Sequence, residues 1–229
     1  MELNKIYNED CLEGMKKMPD KSVDYHFTSP PYGRKRNDKY KFYDDTVKWF
    51  ELINMTIKET MRILKDDGYI FLNIQKNYYN KKDYYKLLGV WSDYIVETIV
   101  WGKNNPMPAS GFNITNSYEV FVVISPTKKP LKSKRTYTKN LFITNVNSKN
   151  KYKKEHKAVM NLEACNYIFD NFIEEGKIVL DCFSGVGTTF IACIENKCEF
   201  LGFEISKEYV DIANERINNH MKGEVNGIK

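Results

Sequence analysis

An α/β fold with a seven-stranded, mainly parallel sheet is the architecture that the sequence predicts, from three observations. Short apolar runs typical of buried strands alternate with stretches in which apolar residues recur at helical spacing. The last part of the chain reads strand, glycine turn, helix, strand, helix, which is Rossmann-like. The 229 residues are 42% hydrophobic, enough for the core of one domain that we expect to span residues 1–229.

The first third of the chain supplies three of the predicted strands. Residues 3–7 and 23–27 are short apolar runs, and the residues between them predict a helix over 10–18 that ends at a Pro-Asp turn. Apolar residues then recur at helical spacing over 47–64 and stop at Asp-Asp-Gly, which indicates a helix end. The apolar run over 69–74 follows as a buried strand.

The remaining elements follow the same alternation with one interruption. Further strands are predicted over 95–101, 118–124, 178–181 and 200–204. Helices are predicted over 84–91 and 162–172, and two more helices are predicted to end near residues 195 and 218. The interruption lies between the strand at 118–124 and the helix at 162–172. We expect the strands to be ordered differently in space and in sequence.

Composition excludes several classes of protein. The charged fraction of 28% and mean hydropathy of −0.55 do not suit a membrane-embedded chain, and no apolar run approaches the length of a bilayer span. The five cysteines contain no C-x-x-C pair and there are only three histidines, so no metal site is predicted. We therefore expect a reduced, cytoplasmic protein without a metal.

Lysine and arginine are concentrated in residues 126–157, called here the basic stretch. It holds eleven lysines and arginines and one acid, whereas the whole chain carries a net charge of +5. Such a segment suits contacts to nucleic-acid phosphates. A solvated lysine-rich surface is the alternative.

A glycine turn, residues 181–189, lies between the strand at 178–181 and the following helix. Gly185 and Gly187 let the backbone approach a ligand closely, and Glu204 ends the next strand where an acid can accept hydrogen bonds from ribose hydroxyls. Phe190 stands where a dinucleotide fingerprint needs a third glycine, so a nucleoside is favoured over a pyrophosphate. The alternative is a tight β–α connection with Glu204 near a helix N-terminus.

The Pro-Pro loop, Thr28 to Tyr32, follows directly on the strand at 23–27. Its prolines fix the backbone and remove two N–H donors, so we expect its carbonyls to point outward as rigid acceptors. Ser29 and a loop carbonyl could then accept both hydrogens of a planar NH₂ group, with the Tyr32 ring stacked on that group. A polyproline-type surface turn is the alternative.

The order of these motifs resembles one enzyme family. Thr-Ser-Pro-Pro-Tyr at 28–32 precedes Asp-Cys-Phe-Ser-Gly-Val-Gly at 181–187, with Trp-Gly-Lys-Asn-Asn-Pro-Met-Pro at 101–108 and Tyr-Glu at 118–119 between them. This order is similar to that of S-adenosylmethionine-dependent DNA amino-methyltransferases of the beta arrangement. In that family the catalytic motif comes before the cofactor loop, a circularly permuted order.

The resemblance implies roles for individual residues. Residues expected to hold the flipped base are Ser29, Pro30, Pro31 and Tyr32. Residues expected to bind S-adenosylmethionine are Asp10, Asp181, Phe183, Ser184, Gly185, Gly187, Thr188, Thr189 and Glu204. For Asp10 a plain helix N-cap is the alternative. Residues expected to contact double-stranded DNA are Arg34, Lys35, Arg36, Lys128, Lys129, Lys132, Lys134 and Arg135, the last five in a target-recognition insert.

The resemblance also has departures and open ends. Asn113 stands where the family has an arginine, and Cys182 where relatives often have proline. His156 lies where the family often has a histidine and is not counted as catalytic. Ser29, where many adenine enzymes have aspartate, favours N4 of cytosine over N6 of adenine.

Activity, partners and assembly stay open at this stage. A catalytically silent DNA-binding relative is the alternative from another class. An RNA or protein methyltransferase is a weaker one. The sequence does not decide whether the protein has a cognate restriction endonuclease or forms a homodimer.

Overall fold

The computed structural model describes residues 1–32, 46–106, 114–146 and 159–223. The strands in these ranges are β1 (Lys5–Tyr7), β2 (Val23–Thr28), β3 (Leu64–Ile74), β4 (Ile95–Lys103), β5 (Tyr118–Ile124), β6 (Leu141–Thr144), β7 (Ile178–Asp181) and β8 (Glu199–Phe203). The helices are α1 (Cys11–Lys16), α2 (Thr46–Ile63), α3 (Lys81–Trp91), α4 (Leu162–Phe172), α5 (Thr188–Glu195) and α6 (Lys207–Met221). None of these helices is both long and apolar enough to cross a bilayer.

All the described strands belong to one sheet, in the order β1-β8-β7-β2-β3-β5-β4-β6. Among the strands described here, only β5 runs against its neighbours, pairing antiparallel with β3 and β4, and the other pairs are parallel. The carboxyl ends of the parallel strands therefore share one edge, called here the carboxyl edge. The end of the sheet at which the parallel strands begin is called the amino edge. Because β5 is antiparallel, it begins at the carboxyl edge and ends at the amino edge.

Helices cover both faces of the sheet. Met15 of α1 and Trp49 and Ile53 of α2 are fully buried on one face, and Phe169 of α4 and Phe190 of α5 are fully buried on the other. Burying one such side chain contributes about 1.5–3 kcal/mol to stability. The sheet is thus the middle layer of three, and it supports loops at the carboxyl edge.

Within the described ranges the sheet has eight strands, one more than the sequence predicts. The additional strand is β6, which lies inside the basic stretch and pairs with β4 from Val100↔Leu141 to Lys103↔Thr144. Its four residues lie at the end of the sheet, with Leu141 and Ile143 more than half exposed and Phe142 buried. A short edge strand among lysines has too little apolar pattern to be recognised. Residues 141–144 of the basic stretch are therefore part of the sheet.

The boundary between α2 and β3 also differs from the prediction. The helix ends at Ile63 and the strand begins at Leu64, so Asp66 to Gly68 lie within β3. The pairing register between β2 and β3 shifts at this point. A Cβ on Gly68 would lie 2.4 Å from the Asp24 carbonyl oxygen, so the glycine permits a close backbone approach rather than ending a helix.

Candidate active site

The Pro-Pro loop and the glycine turn meet at the carboxyl edge, because β2 and β7 are neighbouring strands. The Thr28 hydroxyl donates a hydrogen bond to Oδ1 of Asp181 over 2.7 Å. The same carboxylate accepts from the Phe183 amide at 3.0 Å and from the Thr189 hydroxyl at 2.6 Å. Asp181 therefore joins the end of β2, its own turn and the start of α5.

Neutral donors surround the buried Asp181 carboxyl. Burial raises its pKa, and the hydrogen bonds from Thr189, Thr28 and the Phe183 amide act in the opposite direction. These three bonds satisfy a carboxylate that is only 3% exposed. Through these hydrogen bonds Asp181 connects the Pro-Pro loop to the glycine turn.

The glycine turn needs backbone conformations that glycine adopts most readily. Gly185 has φ of 48° and Gly187 has φ of 78°. A Cβ on Gly187 would also lie 2.9 Å from Cβ of Ala213 in α6. Ser184, predicted to line the cofactor site, is buried, and its hydroxyl donates to the Asp181 carbonyl at 3.1 Å. The tight β–α connection is thus observed, and it is compatible with a ligand site outside the turn.

A buried arginine that the sequence did not reveal supports this turn. Arg216 of α6 donates through Nη1 to the Val186 carbonyl and, over 3.3 Å, to the Thr188 hydroxyl. Thr188 and Thr189 do open α5, as predicted, but their hydroxyls bond to Arg216 and Asp181. The backbone N–H groups of these two residues, at the start of α5, are further donors that a ligand could use.

Glu204 lies beside the glycine turn, directly after β8. Its Oε2 accepts from the Gly185 amide at 2.9 Å and its Oε1 from the Ser206 amide at 2.8 Å. Burial raises the pKa of this carboxyl, while those two amides lower it. Each carboxylate oxygen can accept a second hydrogen bond, so Glu204 retains capacity for hydroxyl donors.

Asp10 is the N-cap of α1, the alternative that the sequence left open. Its Oδ1 accepts from the Leu12 amide at 2.8 Å and from the Glu13 amide at 3.3 Å. Because β1 pairs with β8, Asp10 follows a strand whose last residue, Tyr7, accepts from the Glu204 amide at 3.0 Å. The cap and Glu204 thus belong to the same end of the carboxyl edge.

The Ser29 and Tyr32 hydroxyls belong to a hydrogen-bonded group. Ser29 Oγ lies 3.1 Å from the Tyr32 phenol oxygen and donates over 3.2 Å to Oδ1 of Asn73 in β3. The phenol oxygen lies 2.5 Å from the same Asn73 oxygen and 2.6 Å from Oε2 of Glu119 in β5. Residue spacing gave no signal for these partners, since they come from strands far along the chain.

Glu119 is in turn paired with a lysine. Lys103 Nζ lies 2.5 Å from Oε1 of Glu119, and the two side chains are only 12% and 9% exposed. The antiparallel direction of β5 brings Glu119 to the carboxyl edge, opposite Trp101 of β4. The sequence marked Tyr118-Glu119 and Lys103 only as parts of motifs and gave neither a role.

Two carbonyls of the Pro-Pro loop accept internal hydrogen bonds. The Trp49 indole donates to the Pro31 carbonyl at 2.5 Å, and the side-chain amides of Asn77 and Asn80 each donate to the Tyr32 carbonyl at 2.8 Å. The expectation that the loop's carbonyls point outward is therefore wrong for Pro31 and Tyr32. Their bonds fix the loop instead.

Comparison with known proteins gives this arrangement a family. The N6/N4 methyltransferase family model, described as DNA methylase, matches residues 23–215. The chain belongs to this DNA methylase family. Relatives of this methylase include the type II methyltransferase M.BglII of Bacillus subtilis, 30% identical over 92% of this chain and 68% of its own length. Another is M.HinfI of Haemophilus influenzae, 26% identical over 94% of this chain and 68% of its own length.

Solved structures share the fold of this methylase. The PvuII DNA methyltransferase described as cytosine-N4-specific superposes with a TM-score of 0.76, covering 99% of this chain and 98% of that one at 18% identity. A complex of M1.HpyAVI with SAM superposes with a TM-score of 0.69, covering 93% of this chain and 98% of that one at 22% identity.

Five of the predicted DNA contacts of the methylase lie away from the Pro-Pro loop. The chain leaves β5 at the amino edge, where the Thr127 hydroxyl donates to the Asp66 carbonyl at 2.8 Å. Lys134 Nζ donates to the Phe169 and Ile173 carbonyls at 2.8 and 2.6 Å, at the end of α4. The residues concerned are Lys128, Lys129, Lys132, Lys134 and Arg135. The structure does not support phosphate contacts beside a flipped base for them, because β5 alone separates the edges by about 20 Å at about 3.4 Å per residue.

Other expectations fall outside the described residues. They concern Arg34, Lys35, Arg36, Asn113, His156, and residues 107–108 and 147–157. In the ranges that the structure does describe, the methylase has no group of three or more side chains suited to holding a metal ion.

Proposed function

We propose that this methylase transfers a methyl group from S-adenosylmethionine to the exocyclic N4 amine of a cytosine flipped out of double-stranded DNA. The observation that carries the proposal is the junction of the Pro-Pro loop and the glycine turn through Thr28 and Asp181. A base held by one loop and a cofactor held by the other would then lie side by side, which a direct transfer between them requires.

The residues near the glycine turn fit a nucleoside cofactor by their chemistry. Glu204 and Asp10 are carboxylates at neighbouring strand ends, and carboxylates accept hydrogen bonds from ribose and amine donors. Gly185 and Gly187 bring backbone close to the site, and Phe183 is a partly buried aromatic beside them. When bound, S-adenosylmethionine supplies the methyl group, whose bond to sulfur breaks with both electrons remaining on sulfur.

At the Pro-Pro loop the residues of the chain orient the amine. Ser29 can accept one hydrogen of the target NH₂ through its hydroxyl oxygen, while the two prolines keep the loop rigid. Tyr32 is held through its hydroxyl by Asn73 and Glu119 and through its carbonyl by Asn77 and Asn80. A tyrosine so fixed offers a preorganised ring for the flipped base.

Cytosine is preferred because Ser29 presents a neutral hydroxyl where a carboxylate would suit adenine, according to the family resemblance. The fold match to a cytosine-N4-specific enzyme agrees with this preference. N6 methylation of adenine is the second candidate, since both amines present two donors to the loop. A cognate restriction endonuclease and a homodimer remain proposals; the relatives named above are type II methyltransferases.

For the DNA surface we propose the loop after β3 together with the first residue of α3, at the carboxyl edge. Lys76, Tyr78, Tyr79 and Lys81 are exposed there, with Tyr78 65% and Tyr79 54% exposed. Asn77 and Asn80 of the same loop hold the Tyr32 carbonyl, so the surface adjoins the proposed base site. Exposed lysines and aromatic rings are suited to phosphates and to unstacked bases.

The test is to incubate the protein with S-adenosylmethionine and mixed-sequence duplex DNA, digest the DNA and identify methylated nucleosides by mass spectrometry. N4-methylcytosine is expected. N6-methyladenine would transfer the proposal to adenine with the same site. Retained DNA binding without any methylated nucleoside would instead support a catalytically silent DNA-binding protein.

A further inference from the structure

Transfer to an amine leaves a proton to be removed, and Ser29 is a poor final acceptor for it. After the nitrogen–carbon bond forms, the target nitrogen carries a positive charge and a surplus hydrogen. A serine hydroxyl is a weak base in water, so it needs a partner that takes a proton from it. Glu119 ends a chain of hydrogen-bonding groups that leads from Ser29 through the Tyr32 hydroxyl to a carboxylate.

We propose that Glu119 is the terminal proton acceptor of the reaction, reached from Ser29 through the Tyr32 hydroxyl. The oxygens of the path are separated by 3.1 Å between Ser29 and Tyr32 and by 2.6 Å between Tyr32 and Glu119. The N–H bond of the amine breaks and Ser29 Oγ takes that proton, while the Ser29 hydroxyl hydrogen turns from Asn73 Oδ1 to the Tyr32 oxygen and moves to it. The Tyr32 hydrogen moves to Oε2 of Glu119. The inference rests on the proposed function.

The contacts of the phenol favour this assignment. A phenol has one hydrogen, yet the Tyr32 oxygen lies within 2.6 Å of both Asn73 Oδ1 and Glu119 Oε2. Tyr32 can donate to only one of these oxygens at a time. If Glu119 holds a proton, it donates to Tyr32 and Tyr32 donates to Asn73, so both short contacts become hydrogen bonds. The arrangement therefore accommodates one additional proton between Tyr32 and Glu119.

An ion pair with Lys103 keeps the Glu119 side chain in place. The Lys103 ammonium lies 2.5 Å from the other carboxylate oxygen, Oε1, leaving Oε2 to the phenol. Lys103 Nζ also lies over the Trp101 ring, 5.2 Å from its centre, which is a cation–π distance. Lys103 thus acts as a positioning residue for Glu119.

A small cavity gives the proton a way out. It has a volume of about 20 Å³, enough for one water molecule, and Glu119 lines it together with Gln75, Lys76, Asn116 and Tyr118. Lys76 is exposed, so the cavity adjoins the surface. The titratable groups around Glu119 are Lys103 and Tyr32, which contact its carboxylate, and Lys76, Tyr84 and Tyr118, which line the same cavity.

The first test is the single-turnover rate of methyl transfer for the wild type, Glu119→Gln, Tyr32→Phe and the double variant. Each single variant is expected to lose roughly 10²–10³-fold in rate, within the range of general acid–base catalysis, with DNA and cofactor affinities retained. The double variant should lose little more, because both changes interrupt one path. Glu97→Gln on β4 is the matched control and should keep the wild-type rate.

Two further readouts separate proton acceptance from simple support of Tyr32. The wild-type rate should fall in acid, and in Glu119→Gln this acid limb should disappear. Infrared difference spectra on acidification, without substrate, should show a carboxylic acid band that Glu119→Gln removes and Tyr32→Phe shifts. A wild-type rate with an unchanged acid limb in Glu119→Gln, or multiplicative losses in the double variant, would overturn the inference. Absence of any methylated nucleoside with the wild type would instead reject the proposed function.

Discussion

The Thr28 hydroxyl and the Asp181 carboxylate are 153 positions apart in the chain and 2.7 Å apart in space. Both groups are buried, and each ends one of two adjacent parallel strands. The bond therefore fixes the distance between a loop that would hold a base and a turn that would hold a cofactor. Removal of this hydrogen bond should therefore lower both the stability of the protein and its catalytic rate.

Thr28→Val removes this bond while keeping the shape of the side chain. Asp181 then lacks one of its donors inside the protein, which costs about 1–3 kcal/mol. We expect the free energy of unfolding to fall by that amount, which a urea titration would show as a lower midpoint at an unchanged m value. Thr98→Val, at an exposed position of β4, is the matched control and should change the midpoint little. Equal effects of the two variants would show that the bond contributes nothing particular.

Gly187→Ala should weaken S-adenosylmethionine binding. The φ of 78° disfavours alanine, and the new Cβ would lie 2.9 Å from Cβ of Ala213, so the turn must shift. Titration calorimetry should show an affinity loss of at least about tenfold, which is roughly 1.4 kcal/mol. In Ser29→Ala, by contrast, cofactor affinity should stay near the wild-type value while turnover falls.

Gly89→Ala is the control for the glycine substitution. Gly89 lies in α3, has no positive φ, and a Cβ there would meet nothing within 4 Å. Alanine should therefore stabilise the helix by about 0.5–1 kcal/mol and leave cofactor binding unchanged. Loss of cofactor binding in this control would show that the assay reports general destabilisation.

Lysines at the carboxyl edge and lysines at the amino edge are expected to contribute differently to DNA binding. Lys76→Ala with Lys81→Ala, at the carboxyl edge, should lower the slope of log affinity against log salt by about 1 per lysine. Lys128→Ala with Lys129→Ala removes the same charge at the amino edge and should leave the slope unchanged. Fluorescence anisotropy over a salt series would measure both. A smaller slope only for the Lys128→Ala, Lys129→Ala variant would instead indicate that the basic stretch is the DNA-binding surface.

His26 predicts a pH dependence of stability. Its ring is fully buried in β2, and burial lowers its pKa from 6.5 to about 3. Between these values the unfolded chain binds a proton that the folded protein does not, so stability falls as the pH drops from about 6.5 towards 3. The loss from this residue is on the order of 4 kcal/mol.

Chemical denaturation at several pH values would measure this effect. His26→Leu should flatten the decline, even if it lowers stability at neutral pH through loss of the 3.1 Å contact with the Thr60 hydroxyl. His220→Leu, at the partly exposed end of α6, is the control. A decline of the same steepness in His26→Leu would assign the acid sensitivity to other groups.

Local pattern was enough to predict the elements with long apolar runs. The strand over 118–124, the helix over 162–172 and the strand over 178–181 have the bounds expected from the sequence. Each is a continuous or periodic apolar segment, so its own residue pattern predicts burial without knowledge of which elements pack against it. The short β6 was missed because only its pairing with β4 makes it a strand.

The candidate site shows where local pattern fails. Ser29 and Tyr32 were found from their own motif, whereas Glu119, 87 positions from Tyr32, could be assigned a role only once the direction of β5 was known. The same reversal moved Lys128 and its neighbours to the amino edge. Strand direction is decided by pairing between distant segments, so it leaves no local trace.

The attachment of β6 to the sheet sets a boundary for chimeric enzymes. Residues 126–146 carry a strand paired with β4 and a lysine that donates to two carbonyls at the end of α4. Replacing the basic stretch from Pro126 with a relative's segment would remove both attachments and destabilise the recipient. A graft intended to exchange sequence preference should begin after Val146, so that the recipient keeps its own edge strand.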